Sequence, residues 1–416
     1  MQKNYYNKMA ELLKKEHCCG CAACSQCCPK QCIKMLEDNE GFLYPTIDTT
    51  ECVNCGLCEK VCPMKKQMDT QQPLVVYAAK NQNEQIRRKS SSGGVFTALA
   101  EWIIDNDGVV FGARFNDKWV VVHDYTESKE SLGYFRGSKY VQSVIGNSFV
   151  KVKEFLDKGR FVLFSGTPCQ IAGLKLFLKR EYENLFCVDF ICHGVPSPGI
   201  FRWYLQDTIN QYAPNDIKEK FPPANTIPNA CLHIPQEVEI KDIQFRDKRE
   251  GWKKYTFVLT LINHSKNPYP VEITSSISNN LYLSGFVRDL YLRPSCHNCP
   301  SRSFKSGSDI TIGDFWGQEK LFPQFDGDTG VSAVMIKTKK GETLFDSIGN
   351  LTKTDRDLEE VLSFNPSLAR SNKVSYYRKK FWRLPFKYSF EQRIKMTFNL
   401  SLFERFYLRI VRIMNK

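Results

Sequence analysis

The stretch HCCGCAACSQCCPK, from His17 to Lys30, holds six cysteines in fourteen residues, more than an apolar core needs. Cys18, Cys21, Cys24 and Cys28, with Pro29 behind them, form the run C-x2-C-x2-C-x3-C-P. In that run three thiolates grip one iron–sulfur cube and the fourth reaches across to a second. CVNCGLCEKVCP supplies the second with the same spacing at Cys52, Cys55, Cys58 and Cys62, closed by Pro63. The crossed arrangement assigns Cys18, Cys21, Cys24 and Cys62 to one [4Fe-4S] cluster, and Cys52, Cys55, Cys58 and Cys28 to the other. Zinc is the rival, but it takes four ligands and leaves the third close cysteine of each run unexplained. A disulfide framework suits short secreted chains. Cys19, Cys27 and Cys32 are left over and read as small buried thiols. Between the runs, IKMLEDNEGFLYPTI alternates apolar and polar residues around Asn39-Glu40-Gly41, the pattern of a hairpin joining two pseudo-repeats.

A further four cysteines stand apart: Cys169 in SGTPCQ, Cys192 in CHGVPS, and Cys296 with Cys299 in RPSCHNCPSRS. Cys169 and Cys192 each fall just past a strand-like run, where open α/β sheets gather their ligands. A third [4Fe-4S] cluster is therefore expected, set against buried structural thiols with zinc or nothing at Cys296 and Cys299. Cys187 and Cys231 read as packing residues.

The elements that must hold these thiols alternate after the polar connector MKKQMDTQQP. LVVYAAK reads as a strand, and SSSGGVFTALAEWII as a serine–glycine turn feeding a helix. GVVFGARF and WVVVHDYT form a strand pair, followed by helices near Glu127–Tyr134 and Ser143–Leu156. RFVLFSG runs into a helix capped by Thr167 with Pro168 in its first turn. NLFCVDFIC repeats the pattern ahead of a helix near Phe201–Tyr212. This succession predicts a mainly parallel sheet covered by helices, with longer antiparallel strands added at EVEIKDIQFRDK and KYTFVLTLI. Residues 214–235 read as a proline-dotted loop.

Four small polar turns, SSSGG, RGSKY, SGTPCQ and HGVPS, lie beside these elements and offer backbone N–H groups to phosphate oxygens. Neither G-x-G-x-x-G nor a Walker loop is present. Clusters coupled to organic redox chemistry call for a flavin, so a phosphate-bearing flavin is the expected cofactor.

The stretches SSSGGVFTAL, GSKYVQS, FSGTPCQIAGL, CHGVPSPG, FRDKREGWKKY and CHNCPSRSFKSGSDITIGDFWG resemble, in order, the beta subunits of coenzyme F420 hydrogenase/dehydrogenase in the variant with an amino-terminal dicluster ferredoxin domain. The resemblance runs from about Lys3 to Gly317. It implies an FAD-dependent iron–sulfur oxidoreductase exchanging electrons with a small organic acceptor, coenzyme F420 or another; a soluble ferredoxin is the expected electron donor, and seventeen cysteines read as reduced thiols and metal ligands point to the cytoplasm. It also implies that Ser92, Gly93, Gly94, Ser138, Lys139, Thr167 and Pro168 line the flavin, and that Cys169, Cys192, Cys296 and Cys299 hold a cluster near it. Lys139 and His193 are candidate catalytic groups, Lys139 for charge on the flavin or a phosphate and His193 as proton donor. Asp314 is a candidate for ribose, and Arg246, Asp247 and Lys253 for substrate, against ordinary ion pairing. The alternative function is a non-catalytic electron-transfer subunit serving a partner enzyme.

The expected fold class is α+β and multidomain: a 2[4Fe-4S] ferredoxin domain over residues 1–70, then an α/β flavin domain with a mixed sheet in two parts, 71–155 and 156–365, and a basic aromatic tail over 366–416. Net charge is +13 across 416 residues, and from Arg370 onward thirteen Lys/Arg face two Glu, so +11 of it sits in the tail. The main body thus has no general basic face for nucleic acid. Neither an export signal nor an apolar membrane span is indicated. In the tail Phe398, Leu402, Phe406, Ile410 and Ile413 follow helical steps, an apolar stripe suited to peripheral membrane contact or to packing on the body.

Overall fold

The computed structural model describes residues 12–212, 232–264, 267–385 and 388–399. The amino-terminal module is built on the expected hairpin, β1 (Ile33–Glu37) antiparallel to β2 (Leu43–Ile47), with Ile33 opposite Ile47 and Glu37 opposite Leu43. Asp38 closes the turn by accepting the N–H groups of Glu40 and Phe42 at 3.0 and 3.1 Å, the local side-chain bonding that favours Asp in turns.

The body is an eight-stranded mixed sheet. Its strands are β3 (Val75–Asn81), β4 (Val109–Phe115), β5 (Val121–Thr126), β6 (Val162–Gly166) and β7 (Leu185–Phe190), with three later ones joining them. After the antiparallel sheet of β8 (Val238–Asp247), β9 (Thr256–Asn263) and β10 (Asn267–Ser276) come β11 (Ile310–Asp314), β12 (Ser332–Ile336) and β13 (Leu351–Asp355). The order in the large sheet is β13-β3-β12-β11-β7-β6-β4-β5. The four central strands β11, β7, β6 and β4 pair in parallel and the flanking pairs are antiparallel. The parallel expectation thus applies to the middle, where strands such as VLFSG and LFCVDF are nearly continuous apolar runs covered on both faces. The helix expected at Ser143 begins at Ser148, because the Ser143 hydroxyl is instead hydrogen-bonded to buried His123 at 2.7 Å. The helix near Glu127 shortens to Leu132–Phe135.

The three-stranded sheet packs on helices Pro198–Tyr212 and Leu281–Val287 in an aromatic core containing Trp203, Phe245, Phe257 and Tyr282. Phe381, Phe390 and Ile394 of the tail are buried in the same core, and Phe398 packs against it. As far as Phe398 the tail is therefore part of the body; Leu402, Phe406, Ile410 and Ile413 lie outside the described residues, as does Cys231. Among the described residues no helix is long and apolar enough to cross a membrane.

Hairpin and body are joined at a polar seam. Glu37 pairs with Arg202, Glu40 with buried Arg378 of the tail helix Tyr376–Arg383, and the Ser197 hydroxyl donates to the Glu40 carbonyl. Gln26 Oε1 accepts the N–H groups of Phe149 and Val150 at 3.0 and 3.3 Å. Beneath these, Cys19, Cys21, Ala22 and Ala23 share one apolar cluster with Phe149, Phe164 and Ile171 of the body. Arg378 is buried, so removal of Glu40 alone is costly.

Candidate redox site

The two cysteine runs fold alike. Gly20 and Asn54, between the first and second cysteines of each run, both have φ in the left-handed region (72° and 54°). So do Ala22 and Gly56, between the second and third (59° and 68°). Alternating handedness curls the backbone around a concave centre and turns N–H groups inward, the geometry of an anion-binding nest. A short helix follows each turn, Ala23–Gln26 and Leu57–Lys60.

The thiols partition across the runs. One small pocket is lined by Cys18, Cys19, Cys21, Cys24, Cys58 and Cys62 with Met35, Pro45 and Met64. The other is lined by Cys28, Cys32, Cys52, Cys55 and Cys58 with Ile33, Ile47 and Val53. Cys62 therefore stands with the first run and Cys28 with the second, and Cys58 borders both. Burial, then the neighbouring thiols of Cys18 and Cys62, push the Cys24 thiol up to about 12. Among the described residues no three His, Cys, Asp or Glu converge as a single metal ion requires. A cubane makes no such demand, since each thiolate attaches to a different iron. The donor set, four thiols around a small apolar pocket, fits such a cluster at both places. The outer set is the open one: Cys55 is exposed, whereas Cys21 is buried at the seam.

Cys169, Cys192, Cys296 and Cys299 arrive from separate elements. Cys169 occupies the first turn of helix Pro168–Leu178, whose capping box is formed by Thr167 and Gln170. Cys192 follows β7, Cys296 lies in the short turn Pro294–Asn298, and Cys299 ends that turn. Burial first, then Cys296, Cys169 and Cys299, push the Cys192 thiol well above its usual range, so the four share one neighbourhood. The Val195 N–H donates to Cys296 Sγ at 3.4 Å. Cys19 stands beside both Cys21 and Cys169, close enough for their thiols to perturb its own. A thiol read as packing filler thus joins the inner set of the amino-terminal module to the third set. Cys27 and Cys32 have local partners, the Cys24 carbonyl and Cys28 Sγ.

A cleft of about 1030 Å³ opens between the turn after β3, the edge of β4 and β5, and β8. Ser138 and Lys139 line it, joined by Ser91, Arg114, Arg136 and Arg246, with Trp119, Tyr134 and Phe245 as apolar walls. Its size is that of a large-cofactor site. The Ser138 N–H donates to Ser91 Oγ at 2.6 Å, fixing the RGSKY turn against the SSSGG turn. Lys139 Nζ donates to the carbonyls of Tyr134 and Arg136 at 2.8 and 2.9 Å, and burial brings the group down to about 7, with Asp242 opposing and Arg136 assisting. Arg246 is buried and pairs with Asp314 at 2.6 Å, over Tyr255. Burial works against its charge, but Asp314 and the flanking tyrosines keep it protonated more firmly than usual. Its Nε and Nη2 find no partner among the described residues, and it lines the cleft. Two orphaned buried donors among cations fit a phosphate-bearing ligand such as FAD.

The remaining expected flavin residues are not among those that line the cleft. The Ser92 hydroxyl donates to the Val331 carbonyl at 2.8 Å, the Gly93 N–H to Ser332 Oγ, and Gly94 starts helix Val95–Asp105. Thr167 caps its helix beside Cys169 Sγ, and Pro168 follows. Asp314 reaches the cleft through Arg246, and Trp252, stacked on Trp316 at 4.9 Å, donates to it at 3.3 Å. His193 lies outside the cleft, 2.7 Å from Asp289 Oδ1. Asp247 pairs with Arg249 and Lys253 with Glu319, so both are surface ion pairs. Cys19 is the small buried thiol expected of it; sequence reasoning passed over Gln142 and Arg293, of which only Arg293 carried a signal, standing three residues before Cys296.

Residues 76–149 match the family model for the amino-terminal part of the coenzyme F420 hydrogenase/dehydrogenase beta subunit, and residues 159–355 match the model for its carboxyl-terminal part. Residues 45–65 match a 4Fe-4S binding domain. One F(420)H(2) dehydrogenase subunit, from Methanosarcina mazei, is 22% identical over 203 residues, 45% of this chain and 58% of the relative. An uncharacterised protein of Methanocaldococcus jannaschii is 25% identical over 214 residues, 44% of this chain and 59% of the relative. The chain thus spans less than two thirds of these curated relatives. A chain of the F420-reducing [NiFe] hydrogenase complex from Methanosarcina barkeri superposes with a TM-score of 0.42 at 16% identity, covering 79% of this chain and 91% of that one. With both parts of the beta-subunit model matched in chain order, alongside a 4Fe-4S domain, the chain belongs to the family of coenzyme F420 hydrogenase/dehydrogenase beta subunits.

Proposed function

We propose that the protein is an iron–sulfur flavoprotein oxidoreductase that takes single electrons from a ferredoxin-class protein and exchanges them with a small organic compound, coenzyme F420 or another. The observation that carries this reading is the order of the thiol sets. The outer set of Cys28, Cys52, Cys55 and Cys58 is reachable from solvent at Cys55, the inner set of Cys18, Cys21, Cys24 and Cys62 sits at the seam, and Cys19 stands between it and Cys169. Each set holds one [4Fe-4S] centre, with Cys169, Cys192, Cys296 and Cys299 holding the third. FAD occupies the cleft, where it supplies the exchange between single electrons and electron pairs.

The protein's own residues have distinct tasks. Cys55 marks the face on which the donor protein docks, and Cys21 of the inner set is buried on the side of the body. Arg246 and Lys139 offer positive charge to phosphate, and the paired RGSKY and SSSGG turns fix the lip of the cleft. Reduced thiols in this number suit a reducing compartment, the cytoplasm. Anaerobically purified protein should contain about twelve iron atoms and as many labile sulfides per chain when all three sets are filled, together with extractable FAD. Zinc in place of iron, or the absence of flavin from protein whose clusters are intact, refutes the reading. Dithionite-reduced protein should then be reoxidised by coenzyme F420 or another small acceptor. A second reading, a carrier protein without its own substrate, draws on the relative that is named as part of a dehydrogenase. Reoxidation by a partner protein but by no small acceptor would select it.

A further inference from the structure

Arg293 is completely buried and is held at the seam from every side. Its Nε donates to the Cys18 carbonyl at 2.6 Å, Nη1 to Gln142 Oε1 at 2.9 Å and Nη2 to the Leu43 carbonyl at 3.0 Å. Nη2 also stands 3.7 Å from Cys18 Sγ. The guanidinium lies over the Tyr44 ring at 4.1 Å and the Phe42 ring at 5.3 Å. Gln142, which accepts from it, donates in turn to the Cys19 carbonyl at 2.9 Å. The backbone of Arg293 belongs to the third set, since its carbonyl accepts the Cys296 N–H at 2.9 Å. Its side chain therefore stands on the inner set while its main chain belongs to the third. No carboxylate is among these partners, so the cation is neutralised by none of them.

We propose that Arg293 is the fixed charge that sets the reduction potential of the inner centre, and that it holds this centre in register with the third set. The proposal rests on the reading that Cys18, Cys21, Cys24 and Cys62 carry a [4Fe-4S] centre. The step concerned is uptake of one electron from a ferredoxin-class donor, or from dithionite in vitro, with no bond made or broken. That electron adds one negative charge to a cluster already anionic through its thiolates. A cation within hydrogen-bond reach of one thiolate, screened little by water, stabilises the reduced form more than the oxidised form. Hydrogen bonds to cluster sulfurs and the charge around them are the levers by which proteins set these potentials. A guanidinium suits the task because its planar fork serves several acceptors while its charge persists.

The test is an anaerobic redox titration followed by electron paramagnetic resonance on full-length, cluster-loaded protein. Arg293→Gln should lower the reduced-to-oxidised ratio of the inner centre at a fixed poise at least tenfold, a midpoint lower by about 59 mV for a one-electron couple. Arg293→Lys, which keeps the charge, should stay much closer to the parent. Gln142→Glu leaves Arg293 in place but sets a carboxylate against its Nη1, and should move the same midpoint in the same direction; it decides the matter if Arg293→Gln fails to load. The outer centre, whose residues are not among the hydrogen-bond partners of Arg293, is the internal reference. An inner midpoint unchanged in loaded Arg293→Gln, or unchanged in Gln142→Glu, overturns the proposal and leaves the cluster reading standing. Unmodified protein without iron overturns both.

Discussion

Replacing Gly41 by alanine tests whether the amino-terminal module is docked on the body as described. Gly41 turns the β1–β2 hairpin with φ +79°, and a Cβ there would lie 2.5 Å from Gly199 Cα, 2.7 Å from Gly199 N and 2.8 Å from Ser197 Oγ. Those atoms belong to the start of helix Pro198–Tyr212, across the seam. The left-handed backbone costs an alanine roughly 1–2 kcal/mol, and forcing a methyl against main chain adds roughly 1–3 kcal/mol, about 2–5 kcal/mol together. Gly56 is the matched control: it is also left-handed, at +68°, but a Cβ there meets nothing within 4 Å. Ala22 already occupies the equivalent position of the first run. Gly56→Ala should therefore cost only the backbone part, and the two variants should differ by about 1–3 kcal/mol, which is fivefold or more in an opening equilibrium. Hydrogen exchange on the amides of β1 and β2 in loaded protein reads this directly, because seam opening exposes them. Gly41→Ala should lose at least fivefold more protection there than Gly56→Ala. Equal losses in the two variants would refute the docking of this turn against helix Pro198–Tyr212.

Three further outcomes are expected. Cys62→Ser should abolish the resonance signal of the centre that also depends on Cys18, Cys21 and Cys24, and Cys28→Ser that of the Cys52 centre; loss confined to the run carrying the mutation would contradict the crossed partition. Lys139 is held near 7 by burial, so from about pH 7 up to its ordinary value the unfolded chain binds the extra proton. Stability from this group is thus greatest above that ordinary value and falls to its floor as pH drops through 7. Binding of anionic FAD has the opposite trend: apoprotein affinity should weaken by up to about tenfold per pH unit above 7, and Lys139→Met should flatten that profile in a fluorescence titration. Arg246→Met should destabilise the body by about 3 kcal/mol in urea unfolding, because half-buried Asp314 loses its counter-charge and keeps only the Trp252 hydrogen bond. Arg246→Met with Asp314→Leu should recover part of the loss, and absence of recovery would show that the ion pair is not the source.

The amino-acid sequence by itself determined the chemistry of the amino-terminal module. The spacing of Cys18–Cys28 and Cys52–Cys62, with a proline after each run, implies the crossed partition because local turns of fixed length decide where each thiol points. The cap at Thr167, the hairpin around Gly41 and the central strands were legible for the same reason, being set by contacts between near neighbours. Only the tertiary structure decided what depends on distant pairing. β3 inserts between β12 and β13, more than two hundred residues away, and no local pattern encodes such a partner. The tail through Phe398 packs into the core although its alternation of aromatics and cations suits a lipid surface equally well, since an apolar stripe does not name what covers it. Cys19 was legible as a small buried thiol but its neighbour Cys169 was not, and Arg293 went unnoticed, because folding brings Cys169 and Cys18 beside them from 150 and 275 positions away. Charge and hydrogen bonding act through space at a few ångströms, and only the fold brings distant residues that close.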